Sequence, residues 1–403
     1  MGQHTLKCSM ANGIPKAENR LNPNALRSNG YSINILDICE VDNSFISEWT
    51  HLEKRCIEPN IYLDSVFIFP ALEYLSKNKK IKILVVNEYI NGQQILRATG
   101  VFEEIKPFKM LPYKYLDAYM SPYSFLGGLL VDQSDPHAII DAIYNYFISN
   151  SDKWCVVKFH EVPHDSIIIK KAHIDHRVVW YSTNSYERAC IHISEKFLEN
   201  PLCGVSKKRR KNTKRCFNLL SKVGAVRWKV ISGAEAKYQL LSDFYRLEHA
   251  GWKGKMNSSF LSIAEHRKFL DDVFMRASKK GCLFFTELCL NDKVIAVTVN
   301  FLLQEKMFAF KVASDPEYDK YSPGILNEYK FLESYPECGL NIEFVDSGAY
   351  VGSFIERFWP DRYKIESGII VTSRLAKYIA FLLIKVRRIR RIQRALFKSN
   401  SSK

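Results

Sequence analysis

The sequence predicts an α/β protein of two modules in tandem, with a basic amphipathic helix at its C-terminal end. Three observations point there. One order of elements is written twice: two helices, a strand, a hairpin turn, a second strand, a late helix and a closing strand. The hairpin turns, Asn91-Gly92 and Asn291-Asp292, are residue pairs that accept the positive φ such turns need. The chain of 403 residues also exceeds one average domain.

In the first half, helical spacing covers about 45–56 and 70–76, and strands cover 81–86 and 94–102 around the Asn91-Gly92 turn. A helix over 136–149 and a strand over 154–159 follow. The second half repeats this with helices over 240–250 and 263–278, and a hairpin of 283–290 and 294–303. A strand over 307–313, a helix over 323–335 and a strand over 341–346 complete it. Pro136 and Pro323 open the two late helices, where a missing N–H costs nothing. The expected divisions are a flexible segment 1–30, a first module 31–190, a second module 191–372 and a basic tail 373–403.

Hydrophobic content of 47% excludes general disorder. The ten cysteines are scattered, with no Cys-x-x-Cys, which fits reduced thiols and a cytoplasmic setting. Residues 1–30 lack the apolar run of a signal peptide, and no stretch is long and apolar enough to span a bilayer. Cys155, His160, His164, His173 and His176 match no zinc spacing, so no metal is expected. The net charge of +15 is concentrated in two places: seven Lys or Arg within 207–215 and nine within 374–398, neither with an acid. A cationic helix start at 207–215 suits an anionic partner, such as coenzyme phosphates, a nucleotide-linked acceptor or RNA, unless solvent screens it. The 374–398 stripe suits an anionic membrane surface, or packs in part on the folded body.

Three motifs carry the chemistry. Glu248 is followed by Gly251, Trp252, Lys253 and Gly254 at the end of a helical pattern. Lys320, Tyr321, Ser322, Pro323, Gly324 and Ile325 join a strand to a helix start, where free backbone N–H groups can meet a phosphate. Asp346, Ser347 and Gly348 end a strand. The corresponding place in the first half has Asp132 and Asp135, which would repel a pyrophosphate, so only the second module is expected to bind the donor.

In order and type these residues resemble the Gcn5-related N-acetyltransferase (GNAT) superfamily, and within it the BioF2-like branch, over about residues 31–372. The branch carries Glu-x-x-Gly-Trp-Lys-Gly, Tyr-Ser-Pro-Gly and Asp-x-Gly. Ile355 stands where it usually has a Lys, with Arg357 as the nearby cation that could replace it. The resemblance implies tandem α/β (α+β) modules, each a mixed, mostly antiparallel sheet flanked by helices, the first with a degenerate cofactor site. It implies transfer of an acyl group, most simply acetyl, from acetyl-CoA or another acyl-CoA to an amine, by direct attack and without metal. Lys320, Ser322, Gly324 and Ile325 would hold the donor, and Glu248 or Asp346 would serve as base. Tyr321 would protonate the leaving thiolate, and Trp252 and Lys253 would meet the acceptor.

An amino sugar on a nucleotide or lipid carrier, in surface-polysaccharide synthesis, is the acceptor class this branch suggests. The tail would then hold a cytoplasmic enzyme at the inner face of the membrane. Two other readings stay open. One is an aminoacyl-tRNA-dependent peptidyl transferase of the peptidoglycan-bridge type, which would make nucleic acid a partner. The other is a non-catalytic module recruiting a partner to the membrane.

Overall fold

The computed structural model describes residues 26–28, 30–106 and 114–372. The basic stripe 374–398 and most of segment 1–30 lie outside the described residues.

The first half contains β1 (Leu26–Ser28), β2 (Tyr31–Asp37), α1 (Asn43–Glu53), α2 (Ser65–Leu75), β3 (Ile81–Ile90) and β4 (Gln93–Ile105). There follow β5 (Tyr115–Ala118), β6 (Leu130–Val131), α3 (Pro136–Ser149), β7 (Val156–Pro163), α4 (Ile167–Ile174) and β8 (Val179–His192). The second half contains α5 (Glu195–Glu199), α6 (Lys207–Ser221), β9 (Val226–Ser232), α7 (Leu241–Ala250), α8 (Trp252–Lys255) and α9 (Ala264–Lys280). It ends with β10 (Leu283–Leu290), β11 (Lys293–Leu303), β12 (Lys306–Ser314), α10 (Pro323–Ser334), β13 (Phe344–Asp346) and β14 (Asp361–Val371).

Local chemistry explains most boundaries. Asn291 and Asp292 take φ of 48° and 67°, the left-handed pair that a two-residue hairpin requires. Asp42 caps α1 by accepting from Phe45 N at 2.9 Å. The second helix differs from the expected 70–76. It starts at Ser65 because Asp64 caps it, accepting from Val66 N at 3.1 Å, and Pro70 lies inside it. Burial of the run from Val66 to Leu72 outweighs the backbone bond that the proline forgoes.

All fourteen strands of the described residues join one sheet, in the order β1-β2-β3-β4-β5-β7-β14-β8-β13-β12-β11-β10-β9, with β6 beside β4. Most pairs are antiparallel; β5 with β7 and β12 with β13 are parallel. The halves exchange their last strands. β8 pairs with β13 of the second half, β14 pairs with β7 of the first, and β8 and β14 pair with each other. Position 190, the expected module boundary, therefore falls inside β8.

The largest apolar cluster is shared by both halves. Trp49, Phe67 and Phe69 from α1 and α2 pack with Phe269 and Phe274 of α9 and with Phe301, Phe308 and Phe310 of the second module's strands. At this seam Lys280 of α9 bridges Glu53 at 2.7 Å and Asp64, two acids of the first module.

Candidate active site

Each parallel strand pair is short and then parts. β12 and β13 pair only at Lys306 with Phe344, Met307 with Val345 and Phe308 with Asp346. Beyond Phe308, β12 has lost a neighbour on that side, which leaves backbone groups for an extended ligand. β12 also bulges there: Asn300 faces Ala309 and Val299 faces Lys311, so Phe310 is an extra residue.

At the far end of β12, residues Pro316–Tyr321 make a tight 3-10 turn into α10. Ser322, at the start of this helix, adopts φ 55° and ψ 55°, and its side chain makes no cap bond. The first backward bond in α10 runs from Leu326 N to Ser322 O at 3.0 Å, so Gly324 and Ile325 lie in the turn whose N–H groups have no intrahelical partner. Gly324 is not demanded by the fold. A Cβ there would meet Ser314 Oγ at 3.6 Å and Val312 Cγ2 at 3.7 Å, which is ordinary contact. Its bareness leaves room above the helix end. Lys320 is exposed, its Nζ 4.9 Å from the Tyr321 ring centre, and the cationic α6 packs beside this turn and α10. The structure thus gathers Lys320, Tyr321, Ser322, Gly324 and Ile325 into one corner at the start of α10.

Glu248 is buried on α7, and both its oxygens are engaged. Oε1 takes Lys253 Nζ at 2.6 Å, and Oε2 accepts from Phe260 N at 2.9 Å. Gly254 makes this pairing possible. A Cβ on it would meet the His249 carbonyl oxygen at 1.8 Å, so only glycine lets α8 fold back against the end of α7 and bring Lys253 onto Glu248. Trp252 is not a core aromatic; it is 69% exposed beside this pair.

Asp346 is buried at the point where β12 and β13 part. Its Oδ1 accepts from Gly348 N at 3.0 Å, and Oδ2 faces Arg188 Nη1 at 3.4 Å. Ile355 is buried among apolar side chains and Arg357 is exposed. The cation beside Asp346 is therefore Arg188 of β8, brought in by strand exchange and not anticipated from the sequence. Six residues of β12 separate Phe308, opposite Asp346, from the loop holding Tyr321, a span of about 20 Å at strand rise. Tyr321 accordingly groups with the start of α10 and not with the two carboxylates.

Lys311 was also missed. Its Nζ lies 5.1, 4.7 and 5.2 Å from the ring centres of Tyr123, Phe125 and Phe310. Among the described residues no carboxylate reaches it within ion-pair distance. Burial and the like charge of Lys253 pull this amine down to about 8, against the opposing pull of Glu248. A lysine set between Phe310 and Val312 in the apolar middle of a strand was the available signal.

The first module parts in the same way after Asp117, and a cavity of about 350 Å³ opens there. Asp117, Ser121, Ser124, His160 and Glu161 line it, with Tyr350 from the second module. Asp117 binds His160 Nε2 at 2.5 Å and Lys158 Nζ at 2.9 Å. Burial raises its carboxyl, but those two bonds prevail and hold it below the usual range. Phe125 lies on this cavity and under Lys311, so the cavity adjoins the seam between the modules at Lys311. Glu161, at φ 50°, receives Arg188 Nη2 at 3.0 Å, which joins the cavity wall to Asp346 through one guanidinium. The loop before α3 is filled by its own side chains. Asp132 takes Arg55 at 2.7 Å and Arg97 at 3.0 Å, and Asp135 caps Ala138 N at 3.0 Å.

A family described as an acetyltransferase (GNAT) domain matches residues 207–364, the part that holds Glu248, Lys311, the 316–324 loop and Asp346. Among solved structures, FemX is similar at 11% identity and a TM-score of 0.52, covering 87% of this chain and 100% of FemX. A conserved protein of unknown function from Bacteroides thetaiotaomicron is similar at 12% identity and 0.49, over 85% of this chain and 100% of that one. L-PGS from Bacillus licheniformis is similar at 10% identity and 0.46, over 85% and 96%. No curated protein matches the chain. The expected architecture, tandem modules with a mostly antiparallel sheet, is borne out.

Proposed function

We propose that this chain, whose residues 207–364 match a GNAT acetyltransferase domain, is an acyltransferase of the BioF2-like branch that moves an acyl group from acyl-coenzyme A to an amine of a small acceptor. The acceptor nitrogen attacks the thioester carbonyl, the C–N bond forms, the C–S bond breaks, and the thiolate leaves with a proton. The observation that carries this reading is the uncapped start of α10, with Gly324 bare above it and β12 open beside it.

In this reading the Gly324 and Ile325 N–H groups receive the pyrophosphate, while Lys320 and the exposed lysines of α6 add charge. Tyr321 contacts the donor from the same corner. Pantetheine runs along the free edge of β12 towards Asp346, which acts by holding the Ser347–Gly348 turn. Glu248 and Lys253 set the charge on the acceptor side, and Trp252 offers an exposed ring on which an acceptor sugar can stack. The acceptor enters through the first-module cavity, whose mixed acids and hydroxyls suit a polyhydroxy amine such as an amino sugar. The filled loop before α3 supports a single donor site, in the second of two modules divided near 190. Work on a carrier-linked sugar at the inner membrane face belongs to this proposal; among the described residues no helix is long and apolar enough to cross a membrane.

The test is the shift in melting temperature with coenzyme A or acetyl-coenzyme A. A dose-dependent rise, lost in Gly324→Glu, supports the donor and its site. No shift at millimolar ligand rejects both. A second reading, an aminoacyl-tRNA donor, is favoured by one observation: Lys207, Lys208, Lys211, Lys214 and Arg215 of α6 are all exposed. It predicts salt-sensitive tRNA binding and no protection by the coenzyme.

A further inference from the structure

We propose that the amine of Lys311 is the base that takes the proton from the acceptor nitrogen as it attacks, with Glu248 and Lys253 acting as positioning residues beside it. The inference rests on the acyl-transfer reading above and names the acid–base group of that site.

The placement comes first. Lys311 lies three residues past the last β12–β13 pair, on the stretch of β12 whose edge is free. Simple alternation from Met307 and Ala309 would turn it towards α10. The extra residue Phe310 shifts the phase, so Lys311 faces the seam between the modules. Two of its three rings, Tyr123 and Phe125, come from the first module, and Phe125 also lines the cavity. An acceptor crossing from cavity to donor must pass this amine.

Elimination comes second. Glu248 has a cation on one oxygen and a backbone N–H on the other, and Asp346 has a backbone N–H and a guanidinium. Either must give up a contact to accept a proton. Lys311 has no such contact to break. Lysines kept for structure here are ion-paired, as Lys280 is with Glu53 and Lys253 with Glu248. The charged and titratable groups around Lys311 are Glu248 on α7, Lys253 on α8, Tyr123, and His266 on α9, whose Nδ1 lies 2.7 Å from the Tyr123 hydroxyl. The facing rings and Glu248 favour the ammonium; burial and Lys253 oppose it and prevail. An amine poised near neutrality matches the proton affinity of the amine it must relieve.

The step balances. The neutral Lys311 Nζ receives one proton from the acceptor nitrogen as the tetrahedral centre forms. The C–S electron pair leaves on sulfur, and the Lys311 ammonium then gives its proton to that thiolate or to solvent.

The experiment traces amine reactivity in the full chain. Acetic anhydride in trace amount, from pH 6 to 11, followed by peptide mass spectrometry, should label Lys311 with a midpoint near 8. That midpoint stands against the ordinary lysine value of 10.5. Lys311→Met should lower turnover by about 10²–10⁴-fold and abolish the rise in rate through pH 8. Lys311→Arg should not restore either, because a guanidinium does not deprotonate. Heat protection by acetyl-coenzyme A should survive in both variants. A labelling midpoint near 10.5, no labelling at any pH, or wild-type turnover in Lys311→Met overturns the inference. Labelling does not depend on the donor's identity, whereas failure of the acyl-transfer reading shows as absent heat protection in the wild type.

Discussion

Lys253 Nζ and Glu248 Oε1 lie 2.6 Å apart, and the contact exists because Gly254 can sit against the His249 carbonyl. Trp252 is thereby left exposed while Glu248 stays buried. Glu248→Gln keeps an acceptor for Phe260 N but removes the charge that faces Lys253 and Lys311. Turnover should fall about 100-fold while donor-induced heat protection is retained. Thiol release measured with a chromogenic reagent checks this, and an unchanged rate would remove Glu248 from the mechanism.

Gly254→Ala attacks the same pair through the backbone. The added methyl would overlap the His249 carbonyl oxygen at 1.8 Å, so α8 must move away and Lys253 must leave Glu248. Separating that pair leaves Glu248 buried beside an incomplete shell, and the cost should reach about 3 kcal/mol. Urea denaturation would register it as a lowered midpoint with an unchanged slope. A midpoint equal to the wild type's would mean that the turn re-forms without cost.

Hairpins, helix starts and the turn into α10 were legible in the sequence because each depends on neighbours in the chain: Asn291 with Asp292, Asp135 with Pro136, Ser322 with Pro323. The exchange of β8 and β14 was not legible, since pairing such as Ile365 with Tyr186 joins residues far apart and leaves no local periodicity. Arg188 went unnoticed for the same reason. An arginine in an alternating strand reads as a surface residue until the partner strands bury it against Glu161 and Asp346. Lys311 was hidden by the single extra residue at Phe310, which inverts the face that alternation assigns. The GNAT resemblance rested on motifs at turns and helix ends, and those are the local features that survive at low identity.

Ser322 carries a conformational cost at the start of α10, as a non-glycine residue at φ 55°. Ser322→Gly should relieve that strain and stabilise the apoprotein by roughly 1 kcal/mol, net of the entropy glycine adds. The backbone N–H groups of Gly324 and Ile325 are untouched, so the shift produced by coenzyme A should persist. Calorimetry with and without ligand separates the two effects. Loss of the shift would give the Ser322 hydroxyl a direct part in binding.

Lys280, itself part-exposed, ties the modules together through the buried carboxylates of Glu53 and Asp64. Lys280→Met fits the same space but strands two carboxylates in the seam, and should destabilise the protein by about 3–5 kcal/mol. The variant Glu53→Gln in the Lys280→Met background removes one of the two charges and should recover part of that loss. Two independent thermal transitions in Lys280→Met, instead of one lowered transition, would show that the seam docks modules able to fold separately.

Glu328 offers a pH signature distinct from that of Lys311. It is buried on α10, and its Oε1 receives Trp359 Nε1 at 2.6 Å. Burial raises its carboxyl to about 7, outweighing the indole bond, which favours the anion. The folded state therefore holds this proton more tightly than the unfolded chain, whose value is 4.5. Stability from this group is complete below about 4.5, falls as pH rises, and levels off above about 7, a total of about 3 kcal/mol. Glu328→Gln keeps the acceptor for Trp359 and cannot ionise, so its melting temperature should exceed that of the wild type at pH 8 and approach it at pH 4.5. Other groups titrate in this window in both proteins, and the difference between the two curves cancels them. Parallel curves from pH 4.5 to 8 would mean that Glu328 ionises freely in the folded state, and that α10 is anchored by packing around Trp359 without help from a neutral acid.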